Sequence, residues 1–307
     1  MRVAAISTLL DLAERDRRIV LLTGDLGFSV IEPFAERFPE RFFNVGVAEQ
    51  NMMGLASGLA EGGYLPFVYS IATFASLRPY EFIRNGPVLH DLPVRILGIG
   101  GGFEYGDAGP THHALEDVGI LRVLPGLRVI CPADHQQAAA ALRATWNLQG
   151  PTYYRLGKDD TTTVPDLNGR FELGRSDLIR DSGDLLLVAM GNTAAEVARA
   201  ADALSGLGIE AAVLIVSTLA PPPEDDLAER LTLFPLALTV EAHQVIGGLG
   251  SLVSEIVAER GLRCRVVRCG AHSLGREPGG GEAYLLERSG LTAEQIAGTA
   301  QKMLSDL

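Results

Sequence analysis

FFNVGVAEQNMMGLASGLAEGG, residues 42–63, holds the transition that decides the fold. A short apolar strand gives out at Asn44–Gly46, and a helix begins at once with Glu49 in its first turn. Gly54, Ala56, Gly58 and Ala60 leave one side of that helix nearly bare, so another element can pack closely against it. The Glu49 carboxylate is therefore expected to point into a crowded interface. Spacing alone leaves a second explanation open, because an acidic residue in a first helical turn also complements the helix dipole.

Outward from this segment, apolar runs bounded by turn residues alternate with stretches of helical period. The strand-like runs are RIVLLTGD, LPFVYS, VRILGIG, LRVI and TYYRL. Helices are predicted near residues 48 to 61 and 77 to 90, and from Ala114 and Asp134. Such alternation requires right-handed crossovers and predicts a doubly wound α/β domain with a mostly parallel sheet. The polar stretch KDDTTTVPDLNGR interrupts the pattern, which then restarts with DLLLVAM, TAAEVARAADALSGLG, EAAVLIV, LALTVEA and RCRVVRC. Two doubly wound domains are expected, at residues 1–160 and 176–307, joined by a linker at 161–175. No internal sequence repeat relates them.

Composition narrows the function classes. The 307 residues are 47% hydrophobic and carry a net charge of −12 without a basic run, so a nucleic-acid partner is not expected. Cys131, Cys264 and Cys269 form no CxxC pair or disulfide framework and read as buried thiols. The opening MRVAAISTLLDLAERDRR is too short in apolar residues for a signal peptide or membrane span. A cytoplasmic protein is expected.

Two further segments carry candidate chemistry. In VYSIATFASLRPYEFIRN, residues 68–85, Phe74, Leu77 and Tyr80 recur at three-residue steps, which suits a core arc or an apolar wall for a flat ligand. In GGGFEYGDAGPTHHALEDVGILR, residues 100–122, glycines lead through Pro110 to His112. No P-loop or GxGxxG spacing supports a phosphate cradle there. A histidine at that point can exchange a proton near neutrality or simply cap and pack.

Together these segments resemble the transketolase family of thiamine-diphosphate enzymes, over nearly the whole chain. The resemblance implies that Glu49 hydrogen-bonds the cofactor's aminopyrimidine and sets its reactive tautomer, while the cofactor performs the chemistry. It implies a pyrimidine pocket of Phe74, Leu77 and Tyr80, with leucine replacing one aromatic, and places Asp25 and Leu26 beside the cofactor. It assigns His112 to substrate oxygens, with His113 as substitute, and Arg2, Ser29 and Arg155 to a substrate phosphate. Two positions depart from the family: Ala108 replaces an aspartate, with Asp107 one position earlier, and Gly100 replaces a phosphate-contacting histidine. Glu241 and His243 fall in the family's third domain and are given a structural or interface role.

The family's Gly-Asp-Gly motif and its partner asparagine, which hold Mg²⁺ on the diphosphate, are missing, so no metal ligand is assigned to this chain. The resemblance thus implies the C-terminal subunit of a split transketolase. An N-terminal, diphosphate-binding subunit would complete it as a heterotetramer, moving a two-carbon ketol unit between sugar phosphates. The alternatives are a deoxyxylulose-phosphate-synthase-like carboligase subunit acting on pyruvate and a non-catalytic stabilising subunit. The beta subunit of 2-oxoacid dehydrogenases has the same domain order but fits the GPTHHALED loop less well.

Overall fold

The computed structural model describes residues 1–181, 183–273 and 279–307. Its first half forms strands β1 (Ile19–Thr23), β2 (Phe42–Asn44), β3 (Leu65–Ile71), β4 (Arg95–Ile99), β5 (Arg128–Ile130) and β6 (Thr152–Leu156). Its second half adds β7 (Asp177–Arg180), β8 (Leu185–Ala189), β9 (Ala211–Ile215), β10 (Thr218–Ala220), β11 (Leu236–Gln244) and β12 (Arg265–Ala271). β1, β4, β6, β8 and β9 are buried along their whole length, as continuous apolar runs between two helical layers should be.

The first sheet has the order β10-β5-β6-β4-β3-β1-β2 and the second β12-β11-β8-β9-β7. All pairings are parallel except β10 with β5 and β7 with β9, both at sheet edges. The expected alternation is thus present in both halves. β10 is the departure: a segment of the second half adds an antiparallel edge strand to the first sheet. Between β6 and β7 the chain has neither helix nor strand, yet Val164 and Leu167 are buried in it.

The predicted helix at 48 to 61 runs from Glu49 to Glu61, and Asp134 caps the helix His135–Thr145 through the Gln137 amide. The single helix expected near 77 to 90 does not form. Short helices at Ala72–Ser76 and Tyr80–Ile83 and a wide turn at Arg84–Val88 replace it, with Pro79 and Pro87 at the interruptions. The helix expected from Ala114 begins at Asp117. Cys131 and Cys264 are buried thiols, whereas Cys269 is half-buried. No helix among the described residues is long and apolar enough to cross a membrane.

Candidate active site

In an open parallel sheet, side chains that follow the carboxyl ends of adjacent strands converge. Glu49 opens the helix after β2 and is only 2% exposed. It lies between the ends of β1 and β3: a Cβ on Gly24 would sit 3.5 Å from its Oε1, and Ser70 Oγ, in β3, donates to that oxygen at 3.2 Å. Arg78 Nη1 donates to Oε2 at 2.9 Å. The Arg78 guanidinium also lies 3.8 Å over the Phe74 ring. An open pocket of about 420 Å³ meets this group, lined by Val47 to Asn51 and Arg78.

Phe74 makes an edge contact with the His112 ring at 5.0 Å between centroids, and His112 faces Tyr105 at 6.4 Å. Lys158 Nζ then sits 4.3 Å from the centre of the Tyr105 ring and donates to the Glu104 carbonyl at 3.0 Å. A continuous row therefore runs Glu49, Arg78, Phe74, His112, Tyr105, Lys158. It crosses the sheet in strand order, because these residues follow β2, β3, β4 and β6. A smaller cavity of about 220 Å³ lies between Phe103, His113 and Leu285 but includes none of this row.

The glycines at 100–102 serve close packing. A Cβ on Gly100 would lie 2.2 Å from Tyr105 Cε2, one on Gly101 2.8 Å from the Arg155 guanidinium carbon, and one on Gly102 2.6 Å from Ala242 Cβ. The Tyr105 ring thus fills the space that a side chain at 100 would need. Burial pushes the Tyr105 hydroxyl up, and the nearby Arg2 charge opposes this. Arg2 Nε is buried without a hydrogen-bond partner.

Several expected residues stand elsewhere. Leu77 is 44% exposed and Tyr80 packs against the core, so Phe74, Leu77 and Tyr80 do not form one wall. His113 turns inward onto Phe103, while Asp107 and Ala108 lie exposed on the loop. Asp25 accepts from Asn44 Nδ2 at 2.9 Å, and the Leu26 carbonyl accepts from Thr23 Oγ1 at 2.8 Å. Ser29 is exposed, and its amide donates to Glu32.

Arg155, expected at a substrate phosphate, lies inside the fold. It is 4% exposed, its Nε donates to Asp117 at 2.9 Å, and Nη2 donates to the carbonyls of Ala114 and Ala242 at 2.7 and 2.9 Å. With Nε and Nη2 so engaged, Arg155 ties the two halves of the chain together. Glu241 and His243 are likewise internal. Glu241 accepts the amides of Leu249 and Gly250, and burial raises it to about 7 against their pull. The Gly119 amide donates to His243 Nε2 at 3.1 Å, and burial pushes that imidazole down. The sequence reading missed Arg78, Tyr105 and Lys158. For Arg78 a signal existed, since an arginine four residues after Phe74 can reach back over its ring.

Among the described residues, no cluster of three or more His, Cys, Asp or Glu side chains is placed to hold a metal ion.

Comparison with known proteins gives the family. A family model of the transketolase pyrimidine-binding domain matches residues 1–163, and one of the transketolase C-terminal domain matches residues 174–296. The chain is 36% identical over 300 residues to a putative transketolase C-terminal section of Methanocaldococcus jannaschii, covering 97% of this chain and 94% of that protein. It is 36% identical over 306 residues to the 6-deoxy-6-sulfo-D-fructose transketolase subunit SqwH of a Clostridium species, covering 99% and 94%. The solved structure of a split gene transketolase, described as an inactive β4 tetramer, superposes with a TM-score of 0.88 at 37% identity, covering 98% of this chain and 97% of that one.

Proposed function

From its membership of the transketolase family, to which this chain belongs, we propose that it is the pyrimidine-binding subunit of a split transketolase that transfers a two-carbon ketol unit between phosphorylated sugars. One observation carries the proposal. A buried carboxylate, Glu49, lies at the ends of β1 and β3, beside a pocket and within one side chain of the flat Phe74 ring.

The residues fit thiamine diphosphate at its aminopyrimidine end. That ring needs an acceptor for a ring N–H and a flat apolar face, and Glu49 and Phe74 offer both. The planar Arg78 group makes the same two contacts, donating to Glu49 and lying on Phe74. When bound, the cofactor supplies the nucleophilic carbon that takes up the ketol unit. Glu49 accepts the ring N–H and Ser70 fixes the rotamer of its carboxylate. His112, against Phe74, exchanges protons with substrate oxygens, which a histidine can do near neutral pH. Arg2, Ser29, Tyr105 and Lys158 are assigned to the far end of the row, to bind an anionic tail of the substrate. Asp25 and Leu26 border the cofactor, and Tyr80 packs against the core beneath the site. Arg155 is left out of the substrate site.

Mg²⁺ and its ligands are assigned to a diphosphate-binding partner subunit, in a heterotetramer of two copies of each chain. The domain limits proposed are 1–160 and 176–307. Three free cysteines suit a reducing, cytoplasmic setting.

The test is co-expression with the diphosphate-binding subunit and assay of ketol transfer from ketose phosphates, with pyruvate as a control for CO₂ release. Glu49→Gln should leave assembly intact and lower turnover at least about a hundredfold, the low end for a positioned acid–base group. Near-normal turnover by that variant would overturn the proposal, as would turnover by the single chain.

A further inference from the structure

The buried Glu49 carboxylate has its cationic partner within the chain, at the edge of an open pocket. In this chain the partner is Arg78, and the manner of pairing is unusual. One guanidinium makes a hydrogen bond of 2.9 Å to Glu49 Oε2 and lies 3.8 Å over the Phe74 ring. These two contacts, one N–H to Glu49 and one flat face on Phe74, are those that the aminopyrimidine requires under the proposed function, on which this inference rests. Both groups are planar and conjugated and carry N–H donors in the plane.

The arginine's surroundings suit an occupant that leaves. Its side chain is 43% exposed, whereas the Glu49 side chain is 1% exposed. It sits in the short connection between the helices Ala72–Ser76 and Tyr80–Ile83, just before Pro79. Among the described residues Glu49 is its one hydrogen-bonded carboxylate, and Arg78 itself lines the pocket of about 420 Å³. Rotation of Arg78 into that open space would expose Glu49 and Phe74 together without moving the backbone.

We propose that Arg78 is a built-in occupant of the pyrimidine site: it neutralises Glu49 and covers Phe74 in the ligand-free subunit, and planar N–H donor ligands compete with it. The site is thereby a receptor for amidine-like rings whose affinity is set by the arginine as well as by Glu49. The half-exposed ion pair and the cation–π contact are each modest, so the arginine holds the site without blocking it.

The experiment uses the full chain without a partner and 4-aminopyrimidine as the probe, with binding followed by calorimetry and by probe-observed NMR. Arg78→Met keeps the aliphatic stem and removes the guanidinium. It should bind the probe about three- to tenfold more tightly than the natural chain, the factor expected from losing two weak competing contacts. Glu49→Gln placed on top of Arg78→Met should abolish that gain. Arg78→Lys, which keeps the charge but cannot lie flat, should fall between. Circular dichroism melts establish that each variant is folded, and Arg78→Gln serves where Arg78→Met is not. Equal probe affinity with and without the guanidinium would overturn the inference, and so would a gain that survives Glu49→Gln. The catalytic reading fails separately, through normal turnover of Glu49→Gln in the assembled enzyme. A gain in probe binding alongside such turnover would leave Arg78 as an occupant of a site that is not catalytic.

Discussion

Two arginine–carboxylate pairs, both at 2.9 Å, divide the molecule between them. In Arg155–Asp117 the two side chains are 3% and 0% exposed, and the guanidinium also holds carbonyls from both halves of the chain. In Arg78–Glu49 the carboxylate is equally buried, but the arginine is 43% exposed and finds its other contact on an aromatic face. Identical distances therefore accompany opposite roles. What separates them is how many other bonds the arginine makes and whether it has a route to water. Removing a partner from a sealed pair strands a charge, whereas loosening an open pair lets solvent replace it.

The largest expected effect tests the sealed pair. Arg155→Met should destabilise the chain by about 3–5 kcal/mol, the usual cost of breaking a buried ion pair from one side. Asp117 would be left with Tyr153, whose hydroxyl donates at 2.6 Å, and its Oδ1 already has no partner. Urea unfolding measures the loss. A variant of near-normal stability whose only defect is a raised KM for phosphorylated sugars would restore Arg155 to the substrate site.

A further buried carboxylate, Glu104, sharpens the contrast because among the described residues no cation lies at hydrogen-bond distance from its carboxylate oxygens. Glu104 accepts from the Lys158 amide at 2.8 Å and from Asn192 at 3.3 Å. Burial, then the Glu282 charge, raises it to about 8. Its folded value thus lies above its unfolded one. The stabilising contribution is complete below the unfolded value near 4.5 and is lost as pH rises through about 8. Glu104→Gln removes the titration and should raise stability at pH 9 by about 2–4 kcal/mol relative to the natural chain, below the ~5 kcal/mol that about 1.36 kcal/mol per unit over the displacement from 4.5 to about 8 would give, because local relaxation of the folded state softens the cost of the charge. The difference should fade toward pH 5. Parallel pH–stability curves for the two proteins would place Glu104 in a wetter setting than the structure gives it.

How much of this was legible in the sequence follows from the range of each interaction. The strand–helix alternation and the position of Glu49 depend on local periodicity, and both appear in the structure. The broken helix after Phe74 was legible through Pro79 and Pro87, but the three-residue aromatic stride drew attention to a continuous arc. β10 has three residues and pairs with a strand from the other half, so no local signal announces it. The environment of Arg155 was hidden, and so was the reach of Arg78 to Glu49. An arginine at a strand end reads the same whether it meets solvent or Asp117, and only the fold brings Ala242 beside it.

The seat of Tyr105 was also illegible, and it predicts a mid-sized effect. Gly100 has φ +77°, and a Cβ there would lie 2.2 Å from the Tyr105 ring. Gly100→Ala should cost about 1–3 kcal/mol, from overpacking and from a left-handed backbone together. Replacing Tyr105 by alanine in the same chain removes the clash and leaves only the backbone strain. Thermal unfolding of the two single variants and the double one should therefore be non-additive, with the double variant more stable than the sum predicts. Additive losses would mean that the ring does not rest on Gly100.

The smallest expected effect is the one that decides whether the open pair deserves its name. Arg78→Met should lower the stability of the isolated chain by about 0.5–1 kcal/mol, because a pair with one partner in solvent and one cation–π contact are each worth little. The pocket opens beside Glu49, so solvent is expected to take the place of the guanidinium, and the carboxylate should not be stranded as Asp117 would be. A double-mutant cycle with Glu49→Gln isolates the coupling, which should also stay near or below about 1 kcal/mol. Urea unfolding at fixed pH serves for all four proteins of the cycle. A loss as large as that of Arg155→Met would make Arg78 a second structural clamp, fixed in place, and a ring could then reach Glu49 only by unfolding the connection that carries it.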